Sequence, residues 1–134
     1  MPHYIAVVHG DDEGGYSCFF PDIPGAYGSG KTLRTMKQSA RDGAELLIDD
    51  WAESGRVIPM PSSLDVCAAH EDAQDADAFV QVKVDVPEGP KTRVNVMFPA
   101  QTLAAIDKAA EQSGQSRSAF LEEAARQRIA REMG

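Results

Sequence analysis

Apolar and polar positions alternate over residues 92–98, near the end of the chain. One face carries Val94, Val96 and Phe98, and the other carries Arg93, Asn95 and Met97. This period of two predicts a β-strand. Because residues 91–134 hold no second strand pattern, the backbone N–H and C=O groups need the same strand of another copy. The stretch therefore predicts a homodimer.

Two helical patterns follow this strand. The first runs from Ala100 to Ser113, with Pro99 suited to its first turn and Gly114 to its end. Its apolar residues recur at helical spacing: Leu103, Ile106, Ala109 and Ala110. The second begins at Ser116 or Ser118 and runs through Phe120, Leu121, Ala124, Ala125 and Ile129. One strand and two helices make a thin core, which again favours an intertwined dimer.

The first part of the chain predicts a meander of three strands. Residues 4–8 and 16–20 are apolar runs separated by the turn-forming residues 11–15. Residues 21–25 contain two prolines that interrupt pairing, so residues 26–30 can hold only a short third strand.

One helix and one more strand complete this part. Thr32 or Ser29 can cap a helix that continues to Trp51 and ends at Gly55. Its buried stripe is predicted to contain Leu33, Met36, Ala40, Ala44, Leu47 and Ile48. Residues 62–78 predict a loop or a frayed helical turn, and residues 79–86 alternate as a strand. The resulting organisation is a domain over 1–86, a hinge over 87–90 and a second domain over 91–134.

The formal net charge of −8 conceals an uneven distribution. Residues 1–90 contain 6 Lys and Arg against 16 Asp and Glu, a net charge of −10, whereas residues 91–134 contain 7 against 5, a net charge of +2. The second part therefore suits DNA, and the first part repels it. An acidic first domain indicates either a basic partner or simple solubility, and charge alone favours neither.

Other classes of protein receive little support from the composition. No apolar run approaches the roughly 20 residues of a membrane span, and residues 1–5 lack the features of a secretory signal. We expect a soluble, cytoplasmic protein without a cofactor or a metal. Cys18 and Cys67 match no metal-ligand spacing and predict buried free thiols.

The second domain resembles the ribbon-helix-helix family of DNA-binding proteins. The resemblance is carried by residues 93–99, the pair Leu103 and Ile106, and residues 114–121. In that family two strands pair antiparallel in the major groove. The resemblance implies base contacts from Arg93, Asn95 and Met97, of which Met97 departs from the usual polar residue. It implies phosphate contacts from Ser116, Arg117 and Ser118 at a helix N-terminus. The alternative is a dimerisation ribbon that binds no DNA.

The whole chain resembles the HicB-type antitoxins, which join a partial RNase H-like domain to a DNA-binding tail. The most specific match is the block Phe20-Pro21-Asp22-Ile23-Pro24-Gly25, followed here by Ala26 in place of the more usual Cys. The resemblance implies an α+β fold of order β-β-β-α-β followed by the ribbon-helix-helix domain. It also implies that the chain neutralises a small, basic, mRNA-cleaving HicA-type toxin, shields the toxin's catalytic histidine and represses its own operon. On charge, we place the toxin contacts at Phe20, Pro21, Asp22, Asp72, Asp75 and Asp77.

Two further functions remain open. An RNase H-like nuclease would need clustered carboxylates, but Asp11, Asp12 and Glu13 lie in a turn, and Asp49 and Asp50 point to different faces of a helix. We therefore expect no catalytic residue. A stand-alone repressor with a ligand- or partner-sensing first domain is the second alternative, although no cofactor motif supports it.

Overall fold

The computed structural model describes residues 2–89 and 91–133 and divides the chain into two compact units, one ending at Pro87 and the other beginning at Glu88. The α+β class predicted from the sequence is confirmed. Pro90 of the predicted hinge lies outside the described residues. The two units are described separately below.

The first unit contains one antiparallel sheet of four strands with the order β3-β2-β1-β4. Its strands are β1 (His3–Asp11), β2 (Gly15–Phe19), β3 (Tyr27–Gly30) and β4 (Ala78–Lys83). The predicted meander and the later fourth strand are therefore confirmed, although β4 ends three residues before the predicted end at 86. Val84 and Val86 continue the inward alternation beyond β4.

One face of the sheet packs against helix α1 (Leu33–Glu53). Thr32 caps this helix, because its side chain accepts from the Thr35 N–H while the Thr35 hydroxyl accepts from the Thr32 N–H. Met36, Ala40, Ala44, Ile48 and Trp51 are buried as predicted. Leu33 was predicted in this stripe but is 41% exposed, because it lies in the first turn of the helix, before the stripe reaches the sheet.

Two glycines of β3 allow α1 to approach the sheet closely. A Cβ on Gly28 would lie 2.6 Å from the Cβ of Ala40, and a Cβ on Gly30 would lie 2.5 Å from the Met36 nitrogen. Side chains at these positions would therefore separate the helix from β3.

The segment 62–78 is more ordered than a loop. It forms the short helix α2 (Leu64–Ala68) and a 3₁₀ turn (Glu71–Ala73). Ser63 caps α2 by accepting from the Val66 N–H. Cys67 and Ala73 are buried, which explains why an Ala-rich, acidic segment still folds onto the sheet.

The second unit contains the helices α3 (Ala100–Gln112) and α4 (Arg117–Met133), joined by a turn at Gly114 with a φ of +69°. Both predicted helices are confirmed. Residues 91–99 form no strand within one described copy. A strand needs a hydrogen-bonding partner, and a single copy of this unit offers none. The predicted ribbon-helix-helix arrangement therefore stays a prediction.

Candidate functional site

The face of the sheet opposite α1 carries a row of large side chains. The register pairs Tyr27 with Phe19, Phe19 with Val7, and Val7 with Phe79, so one residue of each strand lies in a single line across the sheet. Val7 is fully buried, whereas Tyr27 is 69% exposed and Phe79 is 36% exposed. We call these four residues the aromatic row. Its two exposed ends offer apolar area to a partner.

Two histidines flank the centre of this row. The ring of His9 stacks on the ring of Phe19, with 6.5 Å between their centroids. The ring of His70 lies tilted to the ring of Phe19, with 5.2 Å between their centroids. His70 follows α2, so this contact helps to hold α2 against the sheet. A shallow cavity of about 390 Å³ adjoins the row and is lined by His9, Ser17, Phe19, Tyr27 and Ser29, among others.

Several carboxylates lie at the end of the sheet where the hairpin joins β1 and β2. Asp75 Oδ1 lies 3.1 Å from His9 Nε2, and Asp77 Oδ2 accepts from the Gly10 N–H at 2.7 Å. The Asp77 N–H donates to the Val8 carbonyl at 2.8 Å. The hydrogen bond to His9 holds the pKa of Asp75 below its ordinary value, which keeps this carboxylate ionised.

The hairpin turn itself adds two more carboxylates. Asp11 Oδ1 accepts from the Glu13 and Gly14 N–H groups at 3.0 and 2.7 Å, which stabilises the turn. Asp12 accepts from the Tyr16 hydroxyl at 2.6 Å, and this bond is the main reason why the pKa of Tyr16 is raised. Asp11, Asp12, Asp75 and Asp77 are all exposed. We call these four residues the acidic rim.

Only two of the predicted toxin-contacting residues belong to the acidic rim. Asp75 and Asp77 join the acidic rim, and Asp72 is exposed on the 3₁₀ turn. The Asp22 carboxylate accepts from the N–H and the hydroxyl of Ser62 at 2.7 and 2.6 Å. It therefore fixes the loop after β2 to residue 62.

Phe20 and Pro21 have different environments. Phe20 is 1% exposed and belongs to the core, so its side chain is not available to a partner in this structure. Its position directly after β2 places the ring on the α1 face of the sheet, opposite to that of Phe19. Pro21 is half-buried beside it. Sequence reasoning favoured Phe20 over its neighbour Phe19 and missed Tyr27 and Phe79, because only the strand register aligns those residues.

In the second unit, the predicted base-contacting residues are accessible. Arg93, Asn95 and Met97 are all exposed, Met97 at 97%. The alternate residues Val94 and Val96 are also exposed, at 74% and 66%. These two valines lie two positions apart, and no element within the described residues of one copy covers them.

The predicted phosphate-contacting residues lie at the start of α4. The Ser116 hydroxyl accepts from the Ala119 N–H at 3.1 Å and caps the helix, and Ser118 is exposed. The Arg117 guanidinium donates to both carboxylate oxygens of Asp107 at 2.8 Å each. This bidentate bond lowers the pKa of Asp107 and raises that of Arg117. Asp107 was not identified from the sequence, because it lies ten positions before Arg117 and a turn comes between them.

Cys18 and Cys67 are buried free thiols, as predicted. Burial, with the nearby Asp22 charge as the second cause, raises the pKa of Cys67 to about 11. Among residues 2–89 and 91–133, no three His, Cys, Asp or Glu side chains are arranged to hold a metal ion. The helices within the same residues are all too short or too polar to cross a bilayer.

A family model described as the HicB-like antitoxin of bacterial toxin-antitoxin systems matches residues 4–125. The chain belongs to this family. Antitoxin HicB of Escherichia coli (strain K12) is 34% identical over 74 residues, which are 55% of this chain and 47% of that antitoxin. That match therefore spans about half of each protein.

Solved structures of HicB antitoxins share the fold. The crystal structure of the Burkholderia pseudomallei antitoxin HicB is 28% identical, covers 94% of this chain and 97% of its own, and has a TM-score of 0.58. The antitoxin HicB3 crystal structure is 25% identical, covers 95% and 97% respectively, and has a TM-score of 0.69. A HicA3 and HicB3 toxin-antitoxin complex, 20% identical over 62% of this chain and 98% of its own, shows the same fold with a TM-score of 0.51.

Proposed function

We propose that this chain is an antitoxin with two activities. Its first unit binds and neutralises a HicA-type, mRNA-cleaving toxin, and its second unit binds operator DNA as a homodimer and represses the operon. The observation that carries the first activity is membership of the HicB-like antitoxin family over residues 4–125. The HicA3 and HicB3 toxin-antitoxin complex contains a chain of the same fold, which supports a toxin as the partner.

The proposed toxin-binding surface is the aromatic row together with the acidic rim. Exposed aromatic side chains supply the apolar centre of many protein interfaces, and charged residues around them guide the partner into place. The rim carboxylates Asp75 and Asp77 are held in position by His9 and by the Gly10 backbone. An ordered acidic rim would attract a basic toxin and fix its orientation. Asp72, on the neighbouring 3₁₀ turn, remains part of the proposal.

The rim can be tested through the rate of association with a purified HicA-type toxin. The variant Asp72→Asn/Asp75→Asn/Asp77→Asn keeps the shape of the side chains and removes three charges. We expect a slower association and a weaker dependence of the rate on salt. The control is Asp49→Asn/Asp50→Asn/Glu53→Gln, which removes three exposed charges from the last turn of α1. Equal rates for both variants would place the toxin elsewhere.

The second activity rests on the exposed valines of the segment 92–98. If two copies pair through this segment, Val94 and Val96 become buried against the helices, and Arg93 and Asn95 point outward. An arginine can donate two hydrogen bonds to guanine, and an asparagine can pair with adenine. Met97 can make only an apolar contact. Ser116, Arg117 and Ser118 would bind the phosphates next to these bases.

Binding to operator and random duplexes at fixed salt tests this activity. Arg93→Ala should lose about 1–3 kcal/mol of binding free energy on the operator and reduce the preference for operator over random DNA. Arg117→Ala should weaken binding to both duplexes equally. If Arg93→Ala and Asn95→Ala retain full operator preference, this segment does not read the sequence. Operator binding without any toxin binding would instead support a stand-alone repressor.

A further inference from the structure

The cations of the acidic first unit are gathered in one place. Four of the six Lys and Arg residues in 1–90 line a single groove between α1 and the edge strand β4: Arg34, Lys37, Arg41 and Lys83. The groove has a volume of about 400 Å³, and Val82 and Gln38 complete its lining. We call it the cationic groove. This groove concentrates positive charge in a stretch, residues 1–90, that contains 16 carboxylates.

The helix α1 arranges three of these cations along one side. Arg34, Lys37 and Arg41 are separated by three and four positions, so their side chains leave the same face of the helix. At a rise of 1.5 Å per residue they span about 10 Å. Lys83, the last residue of β4, lies across the groove, and the buried Val82 forms its floor. The face of α1 used here is separate from the stripe that packs against the sheet.

Most of this positive charge has no ion-pair partner within the described residues. Arg41 donates to Glu45 at 3.0 Å, and Glu45 also accepts from the Asp85 N–H at 3.0 Å. Burial would raise the pKa of Glu45, but these two partners hold it below its ordinary value. Glu45 therefore anchors the chain after β4. Arg34, Lys37 and Lys83 form no ion pair within residues 2–89 and 91–133.

We propose that the cationic groove binds the phosphate backbone of duplex DNA beside the site contacted by residues 93–97. This inference rests on the proposed DNA binding of the second unit. A duplex carries one negative charge per about 1.7 Å of axis, so Arg34, Lys37 and Lys83 can each meet a phosphate. Arginine and lysine are the side chains that most often contact phosphates. A basic toxin, by contrast, would be repelled from this groove.

Chain length makes flanking DNA accessible to the groove. Arg93 follows Lys83 by ten positions, which limits the distance between them to about 35 Å. A duplex bound at Arg93 is therefore present near Lys83 at a high effective concentration. The competing ligand would be the acidic rim of another copy. Pairing of two different patches between copies gives an open, head-to-tail assembly, whereas DNA binding needs only the dimer already proposed.

The experiment measures DNA affinity of the full-length protein as a function of salt. The probes are a short duplex that holds one operator site and a long duplex that adds flanking sequence. For Arg34→Gln/Lys37→Gln/Lys83→Gln, the slope of log affinity against log salt on the long duplex should become shallower by up to about 3. The short duplex should bind the variant and the wild type alike. The ratio of operator to random binding should not change.

Single variants provide a matched control for net charge. Lys37→Gln and Arg56→Gln each remove one positive charge from the first unit, and Arg56 packs over the Trp51 ring beyond the other end of α1, outside the groove. We expect a slope shallower by about 1 for Lys37→Gln and no change for Arg56→Gln.

Three results would overturn the inference. If the triple variant keeps the wild-type slope on the long duplex, the cationic groove does not bind DNA. That result would leave the proposed DNA binding by residues 93–97 unaffected. Wild-type protein that binds neither duplex would overturn both proposals. If low salt produces head-to-tail assemblies of the wild type that the triple variant does not form, and DNA slopes are equal, the groove binds another copy instead.

Discussion

At the scale of single residues, the carboxylates of this chain have distinct structural tasks. Asp11 stabilises a turn, Asp22 fixes a loop to Ser62, and Asp77 binds the backbone of Gly10. Asp107 is different, because it binds an arginine that we propose as a phosphate contact. The two oxygens of Asp107 occupy the positions that two phosphate oxygens would take on the same guanidinium.

Asp107 should therefore compete with DNA for Arg117. Asp107→Asn should strengthen binding to any duplex and steepen the slope of log affinity against log salt by about 1, since one more cation becomes available. The control Glu111→Gln removes the same charge from an exposed position one turn later on α3. If both variants strengthen binding equally, the effect is one of net charge, and Arg117 is not released by the substitution.

Cys67 should make the free energy of unfolding vary with pH in the alkaline range. Its folded pKa is raised to about 11 from an ordinary value of 9.0. Between these values the thiol ionises in the unfolded chain but stays neutral in the folded one, so the free energy of unfolding falls as pH rises above about 9. Urea titrations at pH 8 and pH 10 check this. The advantage of the wild type over Cys67→Ala should shrink at the higher pH, and an unchanged difference would contradict the assignment.

At the scale of elements, the close contact between β3 and α1 decides the packing of the first unit. Gly28→Ala would place a Cβ 2.6 Å from the Cβ of Ala40 and 2.7 Å from its Cα. We expect this variant to lose about 1–3 kcal/mol of unfolding free energy. Gly14→Ala is the control, because its Cβ would meet only Asp11 Oδ1 at 3.5 Å. Denaturant unfolding that gives equal losses for both would show that α1 can move away without cost.

The segment 92–98 is the element whose structure depends most on a second copy. Val96→Asp should convert the dimer to a monomer, since it places a charge on the face proposed to be buried. Met97→Asp introduces the same charge on the other face, where the side chain is 97% exposed, and should leave the dimer intact. Sedimentation at matched concentrations distinguishes the two. A dimer that survives Val96→Asp would exclude this segment as the main contact.

The elements were predictable from the sequence wherever local signals sufficed. The Thr32 cap and the stripe from Met36 to Trp51 predicted α1. Apolar runs bounded by turn residues predicted the first three strands, and alternation predicted the fourth. The strand over 92–98 stays a prediction, because its hydrogen bonds must come from another molecule. Contacts between residues that lie far apart in the sequence were also not predictable. Strand register aligns Phe19 with Tyr27, and a turn brings Asp107 to Arg117.

At the scale of the whole molecule, two compact units carry opposite net charge. The acidic unit holds the aromatic row, the acidic rim and the cationic groove, and the basic unit holds the exposed segment and two helices. This division suits a protein with a basic protein partner and an acidic nucleic-acid partner. The toxin would then be recognised by the acidic unit and the operator by the basic unit, while the cationic groove of the acidic unit would add phosphate contacts next to the operator.

The central claim is neutralisation of a HicA-type toxin, and RNA cleavage measures it most directly. A purified HicA-type toxin from the same genome is incubated with RNA while the full-length chain is titrated in. We expect cleavage to stop when the chain reaches the toxin's binding stoichiometry, and the two proteins to elute as one complex. Undiminished cleavage at an excess of folded chain, with no complex, would contradict the account.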